Sequence, residues 1–239
     1  MTFFDHLREL RLRIITSLIA VLIGSVIAFI FFDTIISKLY RPFLPLDTAQ
    51  LQSTLFINTL FEGFLTKIKV SVISGIVLSF PIHLYNVIRF IFPGLNQKER
   101  KIIALSLAAS FVLIVFSVYY SYFEIIPLSV RFLTSKQFIP ANVGILLNYD
   151  KNIFYILQFI LITLIVFQIP IILELLLIMN VVQRRQLLRV SRYVIIAIFV
   201  LSAVITPPDF ISQLTISTPL ILMFFLTILI ARIFHFGEE

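Results

Sequence analysis

The sequence predicts an all-α integral membrane protein with six transmembrane helices, and three observations support this fold class. Of its 239 residues, 60% are hydrophobic and 13% are charged, whereas a soluble domain carries about a quarter charged residues to cover its surface. Uncharged apolar runs recur along the whole chain, and about 20 such residues span a hydrocarbon core of about 30 Å. In lipid, segments of this length satisfy their backbone hydrogen bonds as helices.

The uncharged runs place the six helices within a single membrane domain, residues 1–239. The first run follows a basic segment but is longer than the apolar core of a signal peptide, so we expect it to be retained. Prolines and polar residues flank the last two runs, which predicts two short C-terminal helices. The predicted spans are about 14–32, 68–88, 102–124, 153–179, 193–208 and 213–231.

Lysine and arginine are distributed unevenly between the two sets of segments that flank the spans. Segments on the N-terminal side of the membrane carry 12 of these residues, and the longer segments on the other side carry 5. Basic residues accumulate on the cytoplasmic side of membrane proteins. We therefore expect both termini on the cytoplasmic or stromal side, and the net charge of +7 fits that bias.

The sequence lacks the residues that several classes of protein function require. The chain has no cysteine, which excludes disulfides and thiolate-bound metals. His6, His83 and His235 have no metal-ligand spacing, and the sequence contains no catalytic motif. Its basic residues lie in separate loops without interleaved aromatic residues, unlike a nucleic-acid interface. We therefore expect a protein that is not an enzyme and uses no metal, cofactor or nucleic acid.

The N-terminal segment carries a carboxylate among arginines. Glu9 and Arg13 are four residues apart and can pair on one helix face. One interpretation is an anchor on the membrane surface. The other is that Glu9 accepts an incoming guanidinium, because anionic headgroups repel a carboxylate that serves only as an anchor.

The segment between the second and third spans is the next candidate. Pro93 and Gly94 predict a tight turn after the aromatic residue Phe90, and Glu99 is a second carboxylate on the same predicted side. A short connecting loop is the simpler interpretation. A second guanidinium acceptor is the alternative.

Polar residues within the later spans are costly in lipid, so they should face protein or water. Gln168 and Glu174 lie about 120° apart around a helix, and Pro170, like Pro81, should kink its span. Asp209 can cap the last helix, and Gln213 opens that helix with further polar residues. Bonds between helices of this chain and contacts with a partner helix both remain possible for these residues.

In chain order, these segments resemble the TatC family, the multi-span receptors of the twin-arginine protein translocase. The resemblance runs nearly end to end. It rests on His6-Leu7-Arg8-Glu9-Leu10-Arg11-Leu12-Arg13, Phe92-Pro93-Gly94-Leu95 with Glu99-Arg100, Phe167-Gln168-Ile169-Pro170, Thr206-Pro207-Pro208-Asp209 and Ser212-Gln213.

The resemblance implies a cupped six-helix bundle that binds twin-arginine signal peptides of folded cargo. Transport would be driven by the proton-motive force together with TatA- and TatB-like single-span partners and further copies of the chain. The implied signal-peptide site is Glu9, Arg11, Arg13, Phe90, Glu99 and Arg100. The implied partner-helix contacts are Gln168, Pro170, Thr206 and Gln213. The implied structural positions are Pro42, Glu62, Pro81, Pro93, Gly94, Pro127, Pro207, Pro208 and Asp209.

One position departs from the family pattern, because many bacterial members have glutamate where this chain has Gln168. Glutamine in photosynthetic members favours a plastid thylakoid or cyanobacterial membrane over another bacterial inner membrane. Two other functions are compatible with a multi-span chain, namely a secondary transporter of a small solute and a purely structural assembly subunit. A transporter should show repeated halves with a site at the midplane, and no repeat is visible.

Overall fold

The structure is a computed structural model, and it describes residues 3–41, 55–91, 97–135, 146–206, 210–234 and 237. At 97–103 the description covers the backbone only. Six of the predicted structural positions, Pro42, Pro93, Gly94, Pro207, Pro208 and Asp209, lie outside the described residues.

Helices account for nearly all of the described chain. They are α1 (Phe3–Ile30), α2 (Phe32–Leu39), α3 (Leu60–Ile91), α4 (Gln97–Tyr120), α5 (Ile126–Leu133), α6 (Tyr149–Val166), α7 (Ile169–Ile178), α8 (Arg184–Ile205) and α9 (Phe210–Ile233), and a π-helical turn (Ser121–Ile125) joins α4 to α5. Two short strands, β1 (Leu55–Phe56) and β2 (Leu147–Asn148), pair in parallel.

Six helical segments of the described residues are long and apolar enough to cross a membrane, as the sequence predicts. They are Leu7–Ile30, Leu60–Phe90, Ala104–Leu133, Tyr149–Ile178, Arg184–Ile205 and Phe210–Ile233. The last two helices were predicted to be short from their uncharged runs, yet they contain 22 and 24 residues. The difference arises because α8 begins in the basic segment before its apolar run, and α9 includes the polar residues after Asp209.

The backbone divides into two compact units. The first comprises Met1–Lys101 with Ile139–Leu161, and the second comprises Ile102–Phe138 with Ile162–Glu239. In the second unit, the apolar core includes Leu177, Leu187, Phe224, Ile228 and Ala231.

Two glycines set the packing of α1 against α3 in the first unit. A Cβ atom added at Gly24 would lie 2.8 Å from the backbone oxygen of Gly75, and one added at Gly75 would lie 2.8 Å from the Cα atom of Ser25. Only a residue without a side chain allows backbones to approach this closely, as small residues do in membrane helix pairs. The crossing therefore requires glycine on both helices.

Prolines occupy different positions in the helices. Pro81 lies within α3, which continues through it to Ile91. Pro127 and Pro170 lie in the first turns of α5 and α7, where a missing N–H group costs little. The fourth span is interrupted at Gln168, between α6 and α7, because Pro170 cannot donate the next helical hydrogen bond.

Candidate functional site

The N-terminal carboxylate forms an ion pair within α1. Arg13 Nη2 donates to Glu9 Oε1 across one helical turn, and the side chains of Arg13 and Glu9 are 14% and 23% exposed. This is the pairing that the i,i+4 spacing predicts. Among the described residues, Glu9 Oε2 and Arg13 Nε are buried and have no hydrogen-bond partner. The second carboxylate oxygen is therefore enclosed by the fold with its hydrogen-bonding capacity unused among the described residues.

A polar residue of α3 braces this segment, and the sequence analysis did not single it out. The Asn86 amide donates to Ser17 Oγ at 3.0 Å and, more weakly, to the Arg13 backbone oxygen at 3.5 Å. Arg13 Nη1 lies 3.5 Å from the Asn86 backbone oxygen. An asparagine within a long apolar run indicates a polar contact between helices, since lipid would leave its amide without hydrogen bonds.

The register of α1 and α3 brings Phe90 level with Glu9. Gly75 and Asn86 are eleven residues apart along α3. Their partners on α1, Gly24 and Arg13, are also eleven residues apart, but in the opposite chain direction. The two helices are thus antiparallel and in step, with about 1.5 Å of rise per residue in each. One further turn on both helices aligns Glu9 with Phe90, a half-buried residue at the end of α3.

The other predicted site residues are described in less detail. Arg11 is exposed on α1. Glu99 and Arg100 lie in the first turn of α4, and their side chains are outside the described part of the structure. The structure therefore brings together Glu9, Arg13 and the end of α3.

The four residues predicted to contact partner helices all lie in the second unit, where Gln168, Pro170 and Thr206 are buried. Gln168 is 2% exposed and its Oε1 accepts a hydrogen bond from Ser110, while its Nε2 has no partner among the described residues. Thr206 is 6% exposed and donates to the Ser202 backbone oxygen at 2.9 Å. Gln213, half-buried, donates to the Phe199 backbone oxygen at 3.0 Å.

The remaining member of that set, Pro170, lines an apolar cavity of about 130 Å³ between α7, α8 and α9. Ala197 of α8 and Phe224 of α9 are among the other lining residues. Glu174, one turn beyond Pro170 on α7, is half-buried. Pro170 is therefore the predicted partner-contact residue that lines a concave apolar surface.

A polar cluster holds the opposite end of α3. Glu62 Oε2 accepts from the backbone N–H groups of Asn58 and Thr59 at 2.6 and 3.4 Å, and its Oε1 accepts from Asn148 at 2.8 Å. Glu62 thus caps α3 and ties it to β2. This contact supports the structural role expected for Glu62.

The same cluster includes a second carboxylate that the sequence analysis missed. Asp150 accepts from Lys69 Nζ at 2.7 Å and from Thr66 Oγ1 at 2.9 Å. Lys69 and Asp150 are 81 residues apart in the chain, and no short-range pattern links residues at that separation.

Comparison with known proteins assigns the family. A sequence profile described as Sec-independent protein translocase protein (TatC) matches residues 5–219. The Sec-independent protein translocase protein TatC of Carboxydothermus hydrogenoformans is 34% identical over 97% of this chain and 93% of its own length. That of Synechocystis is 35% identical over 87% of this chain and 78% of its own.

A plastid relative and a solved structure agree with this assignment. An uncharacterised tatC-like protein, ycf43, of Cyanidium caldarium is 33% identical over 98% of this chain and 95% of its own length. A crystal structure of the twin-arginine translocase receptor TatC superposes with a TM-score of 0.80 and 32% identity, covering 94% of this chain and 98% of the other. On these grounds, the chain is a multi-span membrane protein that belongs to the TatC family of Sec-independent protein translocases.

Proposed function

We propose that this chain is the receptor subunit of a twin-arginine translocase and binds the arginine pair of signal peptides at the Glu9 end of α1. The single observation that carries the proposal is the Glu9 carboxylate, held against α3 with Oε2 unpartnered among the described residues. A guanidinium is the cation best matched to a fixed carboxylate, because its planar fork donates two parallel hydrogen bonds.

Each residue of the predicted site has a role in this proposal. Glu9 and Glu99 each accept one guanidinium of the signal peptide. Phe90, level with Glu9, presents an aromatic ring to the peptide backbone or to an arginine plane. Arg11 and Arg100 orient the carboxylates, Arg13 pairs with Glu9 while no signal peptide is bound, and all three arginines keep the site near the headgroups. The N-terminus then lies on the side from which the precursor arrives, cytoplasmic or stromal, as the basic residues favour.

Single-span TatA- and TatB-like proteins, further copies of this chain and the proton-motive force complete the proposed translocase. The apolar cavity at Pro170 supports a helix contact on the α7–α9 surface. Gln168 and Thr206 are buried within this chain, so they act on such a partner through the shape of the packed helices. Gln213, which is half-buried, is the member of the set best placed for direct contact.

Crosslinking tests the proposal. A signal peptide with a photoreactive group beside its arginine pair is added to membranes that contain the full chain. We expect Glu9→Ala and Glu99→Ala each to weaken crosslinking and the double variant to abolish it, while membrane insertion stays normal. Glu124→Ala, which removes an exposed carboxylate from the π-helical turn, is the matched control. Undiminished crosslinking in the double variant would overturn the proposal.

A further inference from the structure

Arg13, a residue of this chain, already pairs with the Glu9 carboxylate. This is the carboxylate that we propose receives an arginine of the signal peptide. Arg13 donates to Glu9 through Nη2 alone, and its Nε is buried without a partner among the described residues. The pair is therefore end-on and single-bonded. A forked pair, in which two N–H groups meet two carboxylate oxygens, is the stronger arrangement.

Two guanidiniums at Glu9 have a single negative charge to share. The carboxylate carries one negative charge, and two guanidiniums sharing it repel each other across a few ångströms. An arriving arginine that makes a forked pair needs both oxygens, including Oε1, which Arg13 holds. The ligand and Arg13 thus compete for that oxygen, and the forked pair is strongest when Arg13 releases it.

The structure offers Arg13 an alternative acceptor nearby. Its Nη1 lies 3.5 Å from the Asn86 backbone oxygen on α3, too far for a strong hydrogen bond in the present conformation. We expect a displaced Arg13 side chain to turn towards that oxygen, while the bond from Asn86 to Ser17 keeps the two helices together. The exchange therefore needs a side-chain movement without separation of α1 from α3.

We propose that Arg13 is a built-in competitor for Glu9, which a guanidinium of the signal peptide displaces. This inference rests on the proposed function and adds a regulatory role for one residue of the site. The competitor sets an affinity threshold, because every ligand must offset the loss of the Glu9–Arg13 pair. It also keeps the carboxylate compensated when no ligand is bound, since a partly buried unpaired charge is costly.

The test measures the affinity of a fluorescent synthetic twin-arginine signal peptide for the full chain in phosphatidylcholine nanodiscs. We expect Arg13→Gln to tighten binding about two- to fivefold, the range set by ion pairs of intermediate exposure. Arg13→Lys, which restores the cation, should return the affinity to that of the natural chain. If Arg13→Gln does not fold, Arg13→Met, which keeps the aliphatic stem, is measured with the same expectation.

Arg8→Gln is the matched control, because it removes the same charge from an exposed position of α1 next to Glu9. If removing Arg13 tightens binding no more than removing Arg8 does, or if Arg13→Lys binds as tightly as Arg13→Gln, the competitor role is wrong. Glu9→Ala is measured in parallel. If Glu9→Ala leaves the affinity unchanged, the proposed signal site itself fails, and this outcome is distinct from failure of the Arg13 inference alone.

Discussion

Replacing Gly75 with alanine tests how far the packing of α1 on α3 depends on close backbone approach. The added Cβ atom would lie 2.5 Å from the Ser25 backbone nitrogen and 2.8 Å from its Cα atom. Both are backbone atoms, so no rotamer change relieves the contact. The helices would have to separate by about 1 Å to reach an ordinary van der Waals distance of about 3.5–4.0 Å.

The magnitude follows from two opposing effects. Overpacking of a well-packed interface costs about 1–3 kcal/mol, and replacing a helical glycine with alanine returns about 1 kcal/mol through helix propensity. Because the added atom meets backbone atoms that no rotamer change can move, the upper part of the overpacking range applies, about 2–3 kcal/mol. We therefore expect Gly75→Ala to lower the free energy of unfolding by about 1–2 kcal/mol. For a chain of this size, that corresponds to a fall in the melting temperature of about 2–8 °C.

The assay is thermal unfolding of the purified chain in detergent, followed by loss of the monodisperse species on size-exclusion chromatography. Gly63→Ala is the matched control on the same helix, because its added Cβ atom would meet only Ile57 Cδ1, at 3.7 Å. We expect the control to be neutral or slightly stabilising. If Gly75→Ala and Gly63→Ala unfold at the same temperature, the close approach does not hold α1 against α3.

Two further predictions concern polar contacts. In the second unit, Ser110→Ala removes the hydrogen bond to Gln168 Oε1 and leaves a buried amide without a partner, at a cost of about 1–3 kcal/mol. Gln168→Leu removes the same bond together with Nε2, which has no partner in the part of the chain that the structure describes, so it should cost less. Thermal unfolding that ranks the two variants the other way would contradict this account. In the first unit, Lys69→Met should cost less than about 1 kcal/mol because Lys69 is 43% exposed. Asp150→Ala should cost more because it leaves the Lys69 ammonium without its carboxylate partner and removes one of two acceptors of the Thr66 hydroxyl, the other being the Glu62 backbone oxygen. Equal unfolding temperatures for these two variants would refute that ranking.

Part of the candidate site was predictable because its contacts are local. The Glu9–Arg13 pair follows from an i,i+4 spacing, which any helix brings together. Likewise, Pro170 predicts the interruption of the fourth span, since proline lacks the N–H group that the preceding turn requires.

Other contacts could not be predicted because they join residues far apart in the chain. Asn86 meets Ser17 across 69 residues, and Ser110 meets Gln168 across 58. Each pairing depends on how two helices are rotated about their own axes. In a soluble helix, the apolar stripe indicates that rotation. These helices are apolar on all sides, so their buried faces are not marked by hydropathy.

The sequence by itself determined the number of spans and the family, because span length and short ordered motifs are properties of the chain. Its loop charges predict the orientation. The tertiary structure alone decided that Asn86 braces the Arg13 end of α1 and that Gln168 faces Ser110 within the second unit. It also decided that Gly24 meets Gly75. The physical reason is that every apolar face of a helix is about equally stable against lipid. Close backbone approach and hydrogen bonds between helices therefore select the faces that meet.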